Sequence, residues 1–116
     1  MRNSILILED DIMLSVMFEE VLTHLGLKNL HIATTIEEAL IEINSKNFKF
    51  AFLDIHIGRS TSYEVATKLD SLKIPFCFLT GDEKGSTLRR FPQASILHKP
   101  HSIDDLKKLL EESHLI

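Results

Sequence analysis

Four stretches of this chain carry side chains suited to chemistry, and each stands at or just behind the end of an apolar run. Glu9-Asp10-Asp11 follows Ser4-Ile5-Leu6-Ile7-Leu8. Asp54 closes the run that starts at Phe48, Thr80-Gly81 follows Pro75-Phe76-Cys77-Phe78-Leu79, and Lys99-Pro100 comes shortly after Ser95-Ile96-Leu97. If these runs are neighbouring strands, several acids, one hydroxyl and one ammonium converge on one edge of a sheet. Carboxylates this close repel, which costs free energy or raises a pKa unless a cation sits among them. A hard dication removes that cost, and oxygen donors with room for waters suit Mg2+. Acids on one side and a lysine opposite make a place for a metal ion together with a phosphoryl group.

Positioning these groups requires strands that alternate with helices, and the pattern supplies them. From Leu14 the apolar residues Leu14, Met17, Phe18, Val21, Leu22 and Leu25 fall at helical spacing, with Gly26 where a C-terminal cap belongs. Residues 29–33 read as a short strand, and Thr34 with Glu37 as a capping box before a helix faced by Ile36, Ala39, Leu40 and Ile43. Val65, Ala66, Leu69 and Leu72 mark a third helix. Between Gly81 and Gln93 only a short, loosely held helix is expected. Ser102 and Asp105 then cap a last helix with Ile103, Leu106, Leu109 and Leu110 inward.

Strands apolar on both faces and separated by helices argue for a parallel sheet covered on both sides. Right-handed crossovers leave few arrangements. The expectation is a doubly wound α/β fold, five parallel strands in the flavodoxin-like order 2-1-3-4-5, with the binding crevice beyond their carboxyl ends.

Composition narrows the function classes. The 116 residues suit one domain spanning 1–116, with 44% hydrophobic and 26% charged residues. A net charge of -4 gives no basic face for nucleic acid. No apolar run approaches the roughly 18 residues needed to span a bilayer, and the N-terminal run is too short and wrongly flanked for a signal peptide. The single cysteine, Cys77, cannot form an internal disulfide and fits a reducing compartment, so a cytoplasmic setting is expected.

Ile-Leu-Ile-Leu-Glu-Asp-Asp, then Phe-Leu-Asp-Ile, then Phe-Leu-Thr-Gly, then Lys-Pro, in this order and spacing, resembles the receiver domain of bacterial response regulators along essentially the whole chain. The segment Ile74-Pro75-Phe76-Cys77-Phe78-Leu79-Thr80-Gly81 further resembles a receiver subgroup whose fourth strand reads Pro-Phe-x-Phe-Ala-Thr-Gly, with Leu79 in place of Ala. The resemblance implies that Glu9 and Asp10 hold Mg2+, with Asp54 as phosphoacceptor and third ligand and the backbone carbonyl of His56 as a further one. It implies that Thr80 turns its hydroxyl toward the phosphoryl group and that Lys99 pairs with it. The implied partners are a histidine kinase or histidine phosphotransferase as donor and a downstream target protein. In this family the Lys-Pro peptide bond is usually cis.

Plainer roles are assigned elsewhere. Asp11 precedes the first helix and reads as its N-cap, which leaves Glu9 as the second acid beside Asp10, with a pair shifted by one residue as the alternative. The histidines show no metal-ligand spacing, and His24, His31, His98, His101 and His114 read as structural or solvated, while the His56 side chain stands where it could overhang the site. Cys77 reads as a buried strand residue and Tyr63 as helix-face packing.

Three departures from the family pattern matter. Ile96 stands where many receivers carry Tyr or Phe three residues before the lysine, Gly58 where Pro is common, and Ser62 where Gly is common. The first puts the usual aromatic-to-threonine coupling in doubt, and the others alter the loop after Asp54. With no output module after the last helix, the chain is expected to act through partners, or as a phosphate relay or sink. A degenerate receiver that only binds proteins is the alternative. A haloacid-dehalogenase-type phosphatase also uses a strand-end Asp with magnesium, but wants a second Asp two residues on, where this chain has His56.

Overall fold

Residue alternation along the strands fixes the layers of the computed structural model, which describes residues 3–81, 86–99 and 102–116. In β1 (Ser4–Leu8), Ile5 and Ile7 join one buried cluster and Leu6 and Leu8 another, all with no exposed surface. The same period of two divides β3 (Phe48–Asp54): Phe50 and Phe52 face one way, Phe48, Ala51 and Leu53 the other, with a register irregularity near its start. Both faces of these strands are apolar because both are covered, as parallel pairing demands.

The remaining elements follow in order. These are α1 (Ile12–His24), β2 (Leu30–Ala33), α2 (Ile36–Ser45), the two-residue strands β4 (His56–Ile57) and β5 (Ser60–Thr61), and α3 (Tyr63–Ser71). Then come β6 (Phe76–Thr80), α4 (Ser86–Arg90), β7 (Ser95–His98) and α5 (Ile103–Glu112). The main sheet runs β2-β1-β3-β6-β7 with every pair parallel, while β4 and β5 form a separate antiparallel hairpin. Setting the hairpin aside, this is the expected order 2-1-3-4-5. Leu22 of α1 and Leu106 and Leu110 of α5 close one face, and Ala39, Ile43, Val65, Ala66 and Leu69 of α2 and α3 the other.

Local signals hold at most helix ends. Asp11 caps α1 by accepting the Leu14 N–H at 3.1 Å, and Ser102 caps α5 by accepting from Asp105 at 3.0 Å. Gly26, at φ +105, ends α1 in a Schellman arrangement, with Gly26 N–H donating to Thr23 O and Leu27 N–H to Leu22 O. Lys73 at φ +60 and His114 at φ +58 end α3 and α5 with matching pairs of bonds, without the freedom of glycine.

Four expectations need correction. The capping box sits one residue later than read: Thr35 accepts the Glu38 N–H at 3.0 Å, while Glu38 reaches back to the Thr34 N–H at 2.7 Å. Either Thr satisfies the motif locally, and the end of β2 at Ala33 decides between them. The stripe on α1 is only half buried. Leu22 is buried and Phe18, Val21 and Leu25 pack against the core, but Leu14 and Met17, lining an open groove over Ile7 and Leu79, are exposed beside Ile12, Met13 and Val16. Ile103 is likewise 51% exposed at the mouth of α5, and Leu72, at 37%, lies past the end of α3. No helix among the described residues is long and apolar enough to cross a membrane.

Candidate functional site

Register sets the site. Leu8 stands opposite Leu53, so the residues that follow, Glu9 and Asp54, leave neighbouring strands side by side. Asp54 pairs with Leu79 one residue before Thr80, and Thr80 pairs with His98 one residue before Lys99. Parallel strands that end at the same level thus deliver Glu9, Asp54, Thr80 and Lys99 to one edge. The Lys99 N–H donates to Thr80 O at 2.6 Å, holding Lys99 against β6. Pro100 lies outside the described residues, and with it the expected cis bond.

The acids meet as the spacing implied. Glu9, Asp10 and Asp54 each offer a carboxylate oxygen, all within 4.8 Å of one another. Asp11, occupied in capping, is not among them, which places the acid pair at Glu9 and Asp10. Glu9 and Asp54 are buried, Asp10 is exposed, and Thr80 is 5% exposed. The Lys99 Nζ lies 2.7 Å from Asp54 Oδ1 and 3.6 Å from Glu9 Oε1. The Asp54 oxygen has no hydrogen-bond partner despite that distance, so its contact with the ammonium is an ion pair without hydrogen-bond alignment. His56 opens β4 with its side chain exposed.

Electrostatics separates the pair. Burial, reinforced by the adjacent Asp54 carboxylate, pushes the Glu9 carboxyl up to about 7, against the opposing Asp11 N–H at 3.1 Å. Asp10 goes the other way: the Gly58 N–H, 2.8 Å from its Oδ2, holds it below the ordinary carboxylate range, with Glu9 and Lys99 adding to the effect. One acid therefore has its charge supported while the other has it disfavoured, as expected where a cation is needed to complete the charge balance. The donor set is all oxygen, and a buried carboxylate oxygen has no hydrogen bond to lose. On both counts the residues fit a hard divalent cation.

The contact to Gly58 was not read from the sequence. Gly58 and Arg59 form the two-residue turn of the β4–β5 hairpin, and Gly58 takes φ +60 at the first position, as primed turns require. A signal existed in Gly-Arg between His-Ile and Ser-Thr. The proline common here in similar domains has no N–H and could not make the bond to Asp10. Ser62, the other departure, is buried at the start of α3, its N–H donating to Ile55 O at 2.8 Å and its hydroxyl without a partner. Cys77 is buried with its thiol pushed up to about 12 by burial, an inert strand residue.

A flavodoxin-like sheet carrying an acid pair, a strand-end Asp and a facing Lys at its carboxyl edge defines a receiver-type domain. The chain is similar to SdrG from Sphingomonas melonis Fr1, at 31% identity over 99% of this chain and 98% of that one, with a TM-score of 0.80. It is similar to a CheY-like response regulator receiver domain protein from Methanospirillum hungatei JF-1, at 25% identity over 99% and 98% of the two chains and a TM-score of 0.81. Among curated proteins it matches the transcriptional regulatory protein CrdR of Helicobacter pylori at 27% identity over 92% of the chain, spanning 53% of that relative's length. No family model matches. The chain belongs with the CheY-like receiver domains of response regulators.

Proposed function

We propose that residues 1–116 form one phosphoacceptor domain of a two-component system, in which Asp54 takes a phosphoryl group from a phosphohistidine donor. The observation that carries this reading is the Lys99 ammonium 2.7 Å from Asp54 Oδ1, beside the clustered carboxylate oxygens of Glu9, Asp10 and Asp54. In the transfer, an Asp54 oxygen forms a bond to phosphorus as the nitrogen–phosphorus bond of the donor breaks, and the imidazole leaves with that electron pair. The product is an acyl phosphate. Glu9, Asp10, Asp54 and the His56 carbonyl would hold Mg2+, which when bound supplies neutralising charge to the phosphoryl oxygens. Lys99, in contact with Asp54, supplies further positive charge, and the buried strand end holds Asp54 in place. Thr80 is assigned the hydroxyl that meets the phosphoryl group once it is attached.

The donor is a histidine kinase or histidine phosphotransferase, the setting is cytoplasmic, and the output passes to a protein partner or ends in phosphate relay. Membership of the Pro-Phe-x-Phe-Ala-Thr-Gly subgroup rests on residues 74–81 alone. The test is intact-protein mass after incubation with acetyl phosphate and Mg2+, for wild type and Asp54→Asn. The expected result is a gain of one phosphoryl group that requires Mg2+ and is absent in the variant. No gain in rapidly trapped wild type would leave the protein-binding, unphosphorylated receiver as the better reading.

A further inference from the structure

Ile96 carries no polar atom and packs against the core beside Phe78, so it cannot act as a hydroxyl-bearing aromatic that follows Thr80. A different aromatic joins the acceptor loop to α4. Tyr63, the only tyrosine in a chain without tryptophan, is the first residue of α3. Its hydroxyl lies 2.6 Å from the Thr87 hydroxyl of α4, and Thr87 is 5% exposed. Its ring packs on Phe78 and Phe91 at centroid distances of 6.0 and 5.5 Å, and the Arg90 guanidinium lies 5.1 Å from the ring centre.

With only five residues, α4 is far too short to persist on its own, so its placement depends on tertiary contacts of this kind. We propose that Tyr63 is the switch element that couples the state of Asp54 to the position of α4. The inference rests on the phosphoacceptor reading above.

The path from Asp54 is short and has two available arrangements. Ile55 follows Asp54 directly, and its carbonyl accepts the Ser62 N–H, which adjoins Tyr63. Ser62 is the N-cap of α3 yet makes no side-chain capping bond. Its ψ is 12°, whereas the capping residues Thr35 and Ser102 have ψ of 161° and 162°. Its buried hydroxyl is without a partner while the first N–H groups of α3 lack a side-chain cap. Rotating Ser62 into the extended region would let that hydroxyl cap the helix, exchanging one unsatisfied group for a hydrogen bond. The same rotation turns Tyr63 relative to Thr87. A phosphoryl group that displaces Ile55 biases this pair of arrangements, and α4 reads the result.

The test loads the full chain with Mg2+ and beryllofluoride, a phosphoryl analogue whose bound fluorine resonance reports occupancy at Asp54. The Tyr63 ring signal, unique in the spectrum, is expected to move on loading together with the α4 backbone amides. In Tyr63→Phe and Thr87→Val, occupancy is unchanged while the α4 response falls about fivefold, the weight of one hydrogen bond in a two-state equilibrium. Thr87→Ser, which keeps the hydroxyl, restores it. An α4 response of wild-type size in Tyr63→Phe, at equal occupancy, overturns the proposal, as does a Tyr63 signal indifferent to loading. Absence of the bound fluorine signal in wild type is a distinct result: it removes the phosphoacceptor reading and this coupling with it.

Discussion

Replacing Glu9 with Gln in the metal-free protein isolates the cost of assembling the acid cluster. Glu9 is 6% exposed and its carboxyl is pushed from an ordinary 4.5 up to about 7, chiefly by burial. The sign follows from proton binding: the folded state holds this proton more tightly than the unfolded chain. Below pH 4.5 both states are protonated and the group costs nothing. As pH rises from 4.5 to about 7 the unfolded chain ionises first, stability falls, and above 7 the loss is complete. That gap, at about 1.4 kcal/mol per pH unit, sets a ceiling of about 3 kcal/mol on the loss. The nearby Lys99 ammonium and the open mouth of the site keep the real figure below it. Asp10, held low, contributes in the opposite sense but below pH 4, outside this window.

The assay is urea unfolding in excess chelator at pH values from 5 to 8. The quantity is the stability difference between Glu9→Gln and wild type, which cancels contributions common to both proteins. It should grow with pH in favour of the variant and level off above about 7. Adding Mg2+ at pH 8 should reverse the order, since only the wild type keeps all three carboxylate charges of the cluster and binding to the folded state stabilises it. Parallel pH profiles for the two proteins in chelator would refute the claim that burial disfavours the Glu9 charge.

Three further outcomes are expected. Ser62→Ala deletes a buried hydroxyl that has no partner and should stabilise the resting fold by about 1 kcal/mol, read from the urea midpoint; a loss would mean that the hydroxyl is satisfied. Lys73→Gly relieves a left-handed residue at the end of α3 and should stabilise by up to about 1 kcal/mol, whereas Lys73→Val, β-branched at the same φ, should destabilise. Cys77, buried with its thiol near 12, should resist alkylation at pH 8 until the protein is unfolded; rapid labelling of the native protein would contradict its place in β6.

The two faces of the sheet were legible in the sequence because a period of two within short apolar runs, alternating with helical stripes, has few packed solutions. Strand ends were legible for the same reason, so Glu9, Asp10, Asp54, Thr80 and Lys99 could be placed on one edge from their distance behind each run. What each strand carries is local, and sequence order with right-handed crossovers supplies the rest. Tertiary structure alone decided whatever depends on which of two equivalent local solutions meets a neighbour. Thr34 and Thr35 cap equally well, and the end of β2 selected Thr35. The α1 stripe has one helical period throughout, yet only its second half is packed into the core, because what covers each turn is set by neighbouring elements that no periodicity records. Glu9 and Asp10 are adjacent acids of similar chemistry, and their opposite pKa directions come from burial on one and a distant Gly58 N–H on the other. Tyr63 reads as packing in sequence; that its hydroxyl reaches Thr87, 24 residues on, is a fact of the fold.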